Sequence, residues 1–238
     1  MNDKPNDTDR ITSFAQDGVA VVIGSSGAIG GALVAELLRN GRFRWTVGLA
    51  RTTSPPLDLT SEDTIAAAAE HVAKLDAPLR LVIDATGFLH GDGEMPEKTW
   101  RHLDSEHLAH AFAVNTIGPA LLMKHFLPCL PRDGKAVFAT LSARVGSIGD
   151  NQLGGWYGYR ASKAALNQIV RTASIELKRR CPAAICVALH PGTVDSALSE
   201  PFERAGLHVR APAAAAKDLI SVIETLGGAD TGTFRDYR

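Results

Sequence analysis

Five short stretches of aliphatic and β-branched residues, 19–23, 45–50, 79–83, 135–141 and 184–189, recur along the chain, each followed by room for a helix. Strands that face water on one side alternate apolar and polar residues. Nearly uninterrupted apolar strands are covered on both sides, as in parallel sheets sandwiched between helices. Helix-forming stretches fill the gaps. Residues 31–39 stop at Asn40-Gly41, a helix C-terminal signal. A second helix is expected from Thr60, paired with Asp63 as a capping box, to about Leu75. A third runs from Ser105 as cap through Asn115 to about Phe126, with Gly118-Pro119 as the expected kink. Residues 159–180 and 212–226 complete the set, the latter with Pro212 near its first position. Residues 52–56 are a breaker cluster, 1–17 a loose lead-in and 231–238 a tail.

The pattern predicts an α/β fold, a doubly wound, mostly parallel sheet with helices on both faces, in one domain over residues 1–238. A formal net charge of -1 gives no basic footprint for nucleic acid. The N-terminus has no apolar signal region, and no stretch approaches the ~18 apolar residues of a membrane span, so the expected compartment is the cytoplasm. The three cysteines, Cys129, Cys181 and Cys186, lack CxxC spacing and are expected as reduced thiols. The histidines show no metal spacing. His107 and His110 are expected in solvated or capping roles, and His190 either beside the cofactor or in packing.

Gly24, Ser25, Ser26, Gly27, Ala28, Ile29 and Gly30 lie between the first strand and the first helix. Small residues there let the backbone turn sharply and let a pyrophosphate approach the N–H groups of the helix N-terminus, as in a Rossmann-type three-layer fold. Arg51 ends the second strand, where NAD-selective sites tend to place an acid for the ribose 2′-hydroxyl. A guanidinium pairs instead with a 2′-phosphate, so NADP(H) is the expected cofactor and NAD the alternative. Tyr159 and Lys163 stand four residues apart on a helical stretch and therefore share a face. A nearby ammonium favours phenolate, so Lys163 is expected to lower the Tyr159 pKa and make it a general acid/base for a carbonyl or alcohol.

Over nearly its whole length the chain resembles the short-chain dehydrogenase/reductase family, and within it the C-factor and sniffer-type carbonyl reductase branch. The matching pieces are the 24–30 loop, Asp84-Ala85-Thr86-Gly87, Asn115, Leu141-Ser142, Tyr159 with Lys163, and Pro191-Gly192. The resemblance implies that Tyr159 is the general acid/base and that Lys163 lowers its pKa and binds the nicotinamide ribose. It implies that Ser142 orients the substrate oxygen and that Asn115 holds a water linking Lys163 to solvent. Asp58 and Leu59 would flank the adenine. Ala85, Thr86 and Gly87 would support its side of the cofactor, with Pro191, Gly192, Thr193 and Val194 beside the nicotinamide. It also implies a homodimer or homotetramer, and a substrate lid over residues 195–209.

Three positions depart from the family pattern. Ala28 stands where the middle glycine is usual, Asp84-Ala85-Thr86-Gly87 replaces Asn-Asn-Ala-Gly, and Ala143 falls on the usual serine place, one residue after Ser142. Neighbouring strand residues point to opposite faces, so Ser142 reaches the site only through a twist or bulge, with Ser147 as a substitute. Trp156 and Tyr157 are expected either as a wall of the substrate pocket or as core aromatics. The alternative function is a dinucleotide-binding regulatory or signalling protein with little turnover. The presence of Tyr159, Lys163 and Asn115 favours the enzyme acting on a small carbonyl or alcohol.

Overall fold

The structure, a computed structural model, describes residues 11–91, 93, 95–199 and 209–238. Six strands form one parallel sheet: β1 (Val19–Ile23), β2 (Trp45–Leu49), β3 (Leu79–Asp84), β4 (Ala136–Leu141), β5 (Ala184–His190) and β6 (Phe234–Asp236). Their order is β2-β1-β3-β4-β5-β6. Among the described residues the α-helices are α1 (Ala28–Asn40), α2 (Glu62–Ala73), α3 (Ser105–Phe112), α4 (Gly118–Phe126), α5 (Tyr157–Arg180) and α6 (Pro212–Thr225).

The alternation of strand side chains divides the core into two layers. Val19, Val21, Ile23, Val82 and Phe138 pack with Ile65, Leu122, Leu166 and Val170 of α2, α4 and α5. Ala20, Val22, Leu81, Ile83 and Val137 pack with Leu33 and Leu37 of α1 and Leu219 and Ile223 of α6. Residues Ala136 to Leu141 are all buried, which is why their sequence shows no alternation. The strand order reverses at β1, so a crevice opens beyond the carboxyl ends of β1 and β3, where open α/β sheets bind ligands.

Several boundaries differ from the sequence reading. Helix α1 begins at Ala28, within the expected loop, because Gly30 lies against Gly24 and the glycines wind into the first turn. The Thr60–Asp63 box does not form. Ser61 precedes α2 without a side-chain cap, and the Thr60 hydroxyl donates to Asp58 instead (2.7 Å). Asp104, not Ser105, caps α3, accepting the N–H groups of Glu106 and His107 at 2.8 and 2.9 Å. The long helix is interrupted by a π turn over Ala113–Ile117, and Pro119 sits in the first turn of α4, where its missing N–H is harmless. Strand β6 lies in the expected tail; its short, mostly exposed sequence carries no apolar signal.

Candidate active site

At one end of the crevice the backbone makes the surface. Gly24 has φ 82°, and the N–H groups of Gly24 and Ser25 donate to the Leu49 carbonyl at 2.8 and 3.1 Å. The Gly27 N–H turns back to the Gly24 carbonyl (3.0 Å), and the first helical bond is that of Gly31 to Gly27 (2.8 Å). The Ala28, Ile29 and Gly30 N–H groups therefore belong to an open helix end. Gly27 gives no side-chain cap, and the first turn contains no acid. A Cβ on Gly30 would lie 2.1 Å from the Gly24 oxygen, so only glycine permits this closure. Uncapped donors at the positive end of a 13-residue helix fit a dinucleotide's pyrophosphate. Ala28 opens the helix.

Thr86 and Ala85 press against Gly24, whose Cβ position is 3.0 Å from the Thr86 methyl. Arg51 is exposed just past β2. Asp58 is held below the ordinary carboxylate range, chiefly by the Thr60 backbone and hydroxyl and also by Arg51. Leu59 is buried against Gly118.

At the other end the surface is made by side chains. Asn115, in the π turn, uses its carboxamide on the Phe88 backbone: Oδ1 accepts the N–H at 2.8 Å and Nδ2 donates to the carbonyl at 2.7 Å. Nδ2 also reaches Ser162 (3.1 Å). A Cβ on Gly87 would lie 3.8 Å from Asn115 Oδ1 and 3.9 Å from Lys163 Nζ, so these groups meet at Gly87. Lys163 is buried and donates to the Leu141 carbonyl at 2.8 Å. Its Nζ lies 5.9 Å from the Tyr159 ring centroid.

The Tyr159 phenol is not lowered here as expected, and burial is the cause. Burial pushes the Tyr159 phenol up to about 12, and burial brings Lys163 down to about 8 against the pull of Asp84. The ammonium faces the ring and the Leu141 carbonyl, and desolvation dominates. Asp84, fully buried, accepts from the Thr140 hydroxyl (2.7 Å), the Thr86 hydroxyl (2.5 Å) and the Thr86 N–H (3.1 Å). Burial raises its pKa, partly opposed by both hydroxyls and by Lys163.

Ser142 has its hydroxyl engaged within the protein. It is buried on the α5 side, and its hydroxyl donates to Asn167 Oδ1 at 2.7 Å. Asn167 borders a cavity of about 320 Å³ with Ala143, Arg144, Ser147, Asp150 and Phe234. The strand end makes no bulge that would swing Ser142 across; its N–H continues the ladder to Leu189 (2.7 Å).

On the expected nicotinamide side, Gly192 has φ 79°, and its missing Cβ leaves room for the Tyr237 ring. Arg210 donates to the Pro191 carbonyl (2.9 Å), stacks on Tyr237 and pairs with Asp218. Thr193 accepts the Arg210 N–H (2.9 Å), and Val194 is buried beside it. His190 packs in line with Phe234, ring centroids 6.3 Å apart, which favours its packing role. Residues 200–208 of the expected lid, with Phe202 and Leu207, and 1–10 of the lead-in lie outside the described residues.

His107 and His110 are not simply solvated, since both pack on Phe88. Trp156 meets the Tyr159 ring edge-on at 6.2 Å. Asn167 and Glu97 have no role in the sequence reading: one lies on the expected 159–180 helix beyond the Tyr159/Lys163 pair, and the other sits in irregular chain with no local pattern around it. The three cysteines are free. No described helix is long and apolar enough to cross a membrane.

Residues 12–219 match a family model described as enoyl-(acyl carrier protein) reductase, a short-chain dehydrogenase/reductase model. A 1-hydroxy-2-glutathionyl-2-methyl-3-butene dehydrogenase of Rhodococcus sp. (strain AD45) is 30% identical over 203 residues, covering 85% of this chain and 84% of that protein. The C-signal of Myxococcus xanthus is 34% identical over 136 residues, covering 57% of this chain and 78% of that protein. Among solved structures, an NADPH-bound carbonyl reductase from chicken fatty liver superposes with a TM-score of 0.81 at 25% identity, covering 94% of this chain and 93% of that one. The carbonyl reductase Sniffer of D. melanogaster shares the fold at TM-score 0.78 and 22% identity, covering 93% of this chain and 97% of that one.

Proposed function

This chain belongs to the short-chain dehydrogenase/reductase family, whose members transfer hydride, and from that premise we propose an NADP(H)-preferring reductase of small carbonyl compounds with Tyr159 as the proton donor. The observation that carries this reading is the meeting of Lys163 and Asn115 at Gly87, with the Tyr159 ring centroid 5.9 Å from Lys163 Nζ, in a chain whose first helix opens on an uncapped N-terminus.

When bound, the dinucleotide supplies the hydride. Gly24, Ser25, Ser26, Gly27, Ala28, Ile29 and Gly30 bind its pyrophosphate, and Arg51 its 2′-phosphate. Asp58, Leu59, Ala85, Thr86 and Gly87 border the adenine half, and Pro191, Gly192, Thr193 and Val194 the nicotinamide. Lys163 binds the nicotinamide ribose, and Asn115 holds the Phe88 turn that shapes its surroundings. Tyr159, raised to about 12, is a neutral phenol at physiological pH and ready to give its proton to the more basic oxygen that hydride addition creates. A neutral donor suits the reducing direction. Exposed Ile117 and Ile175 give an assembly apolar surface to bury, in keeping with a homodimer or homotetramer. One domain and a cytoplasmic location complete the proposal.

Ala143 at the usual serine place favours a second reading, a dinucleotide-binding signalling protein with little turnover. NADPH oxidation measured against aldehydes, ketones and quinones, beside Tyr159→Phe, separates the two. The enzyme reading expects turnover that Tyr159→Phe lowers by about 10²–10⁴-fold, with NADPH binding retained. Tight NADPH binding with no turnover across the panel would replace it with the second reading.

A further inference from the structure

A carboxylate lies beneath the proton-donating end of α5, and the mechanism above gives it no task. Glu97 is 3% exposed, in irregular chain between β3 and α3. Its backbone and its side chain both serve α5. The Glu97 carbonyl accepts the Trp156 N–H at 2.5 Å, and the carboxylate accepts the Gly158 N–H at 3.3 and 3.2 Å. No carbonyl of the helix itself can reach a first-turn N–H, and negative charge there meets the positive end of the helix dipole.

The chain approaches α5 through three successive left-handed residues, Gly154 (φ 63°), Gly155 (φ 65°) and Trp156 (φ 53°). Glycine adopts that conformation freely; tryptophan does so only where its surroundings hold it. Trp156 has no side-chain cap of its own to fix the helix start. A Cβ on Gly158 would lie 2.9 Å from Glu97 Oε1, so glycine leaves the space that the carboxylate occupies. Behind Glu97 stands buried His107 of α3, its Nε2 3.9 Å from Oε1. The His107 ring packs on Phe88, whose backbone Asn115 clamps. Glu97 thus joins the Asn115 side of the site to the helix that carries Tyr159.

We propose that Glu97 is a positioning residue for the hydride-transfer reaction: by holding the Trp156 and Gly158 N–H groups it fixes the start of α5 and so the place of Tyr159, the next residue. This rests on Tyr159 being the proton donor, so its test includes a measurement that needs no turnover. The protein has three tyrosines, Tyr157, Tyr159 and Tyr237, and ring-carbon labelling gives each its own NMR signal, with Tyr159 assigned from Tyr159→Phe.

Glu97→Ala is expected to displace or broaden the Tyr159 signal and leave that of Tyr237 in place. Glu97→Gln, whose carboxamide oxygen still accepts the Gly158 N–H, is expected to keep the wild-type position. With a carbonyl that the wild type reduces, Glu97→Ala should lower kcat about a hundredfold, as a misplacement near 1 Å does, with NADPH affinity within about twofold. Glu97→Gln should recover kcat to within about fivefold of wild type. An unmoved Tyr159 signal in Glu97→Ala overturns the proposal. So does a lowered Tm with kcat unchanged, which would make Glu97 structural only. If Glu97→Ala does not fold, Glu97→Asp, with its carboxylate withdrawn by one methylene, is held to the same outcomes. If the wild type reduces nothing, the hydride-transfer reading fails while the NMR comparison still decides whether Glu97 places Tyr159.

Discussion

The two ends of the crevice are built from different material. At the end proposed to hold the phosphates, residues 24–30, which run into the first turn of α1, present backbone N–H groups, and the side chains matter mainly by being small. At the proton end, Asp84, Asn115, Tyr159 and Lys163 arrive from β3, a π turn and α5, and each is defined by what it touches. A backbone surface tolerates few substitutions but is specified locally. A side-chain surface can lose one member and be retuned by the rest. The family departures divide accordingly: Ala28 leaves the loop closed, whereas Asp84 and Ala143 change the charge and the hydroxyl inventory around Lys163 and Tyr159.

The sharpest way to break this contrast is Gly30→Ala. Its Cβ would meet backbone atoms of Gly24 and Ser25 at 2.1, 2.7 and 3.1 Å, and none can rotate aside. NADPH affinity measured by calorimetry should fall about a hundredfold, roughly 3 kcal/mol. An affinity within a few-fold of wild type would mean that the loop is not the phosphate site. Arg51→Asp is the next largest. Losing a charge-assisted pair and adding repulsion should move the NADPH-to-NADH preference by about 10- to 100-fold towards NADH. An unchanged ratio of dissociation constants removes Arg51 from the 2′-phosphate site.

Asp84→Asn tests the side-chain end. Asp84 raises the pKa of Lys163 against burial, so removing its charge should drop Lys163 further below about 8. The sign follows directly. Lys163 then gives up its proton at lower pH, and the alkaline limb of kcat/KM moves down. Well below that limb the rate should stay within about threefold, because asparagine keeps the shape, its oxygen accepting from Thr86 and its NH2 donating to a reoriented Thr140 hydroxyl. A limb that stays in place would show Asp84 to carry no charge that Lys163 feels.

Legibility in the sequence follows the same division. The sheet could be read because runs such as 136–141 are buried throughout and so stand out as unbroken apolar stretches. The tight turn at residues 24–30 could be read because the need for glycine is local. The pairing of Tyr159 with Lys163 followed from helical spacing, but the direction of the Tyr159 pKa did not, since it depends on how much protein closes over the ring. Glu97 left no trace because its partners at the start of α5 lie about sixty residues away. Strand β6 was hidden because a short, exposed edge strand needs no apolar pattern.

The smallest expected effect separates a side chain near the site from one within it. A serine that orients the substrate oxygen must leave its hydroxyl free for the substrate, and removing such a donor typically costs about 10²–10³ in kcat. The Ser142 hydroxyl is committed to Asn167 at 2.7 Å, on the side of the strand end occupied by α5. Ser142→Ala should therefore lower the rate by no more than about threefold, with a stability loss near 1 kcal/mol for the Asn167 amide left without its partner. Ala143→Ser in the same assay restores a hydroxyl at the family's place. If that end of the cleft lacks only a donor, kcat rises. If Ser142→Ala instead removes two orders of magnitude, Ser142 turns to the substrate during the reaction and the proton end is assembled differently from the arrangement described above.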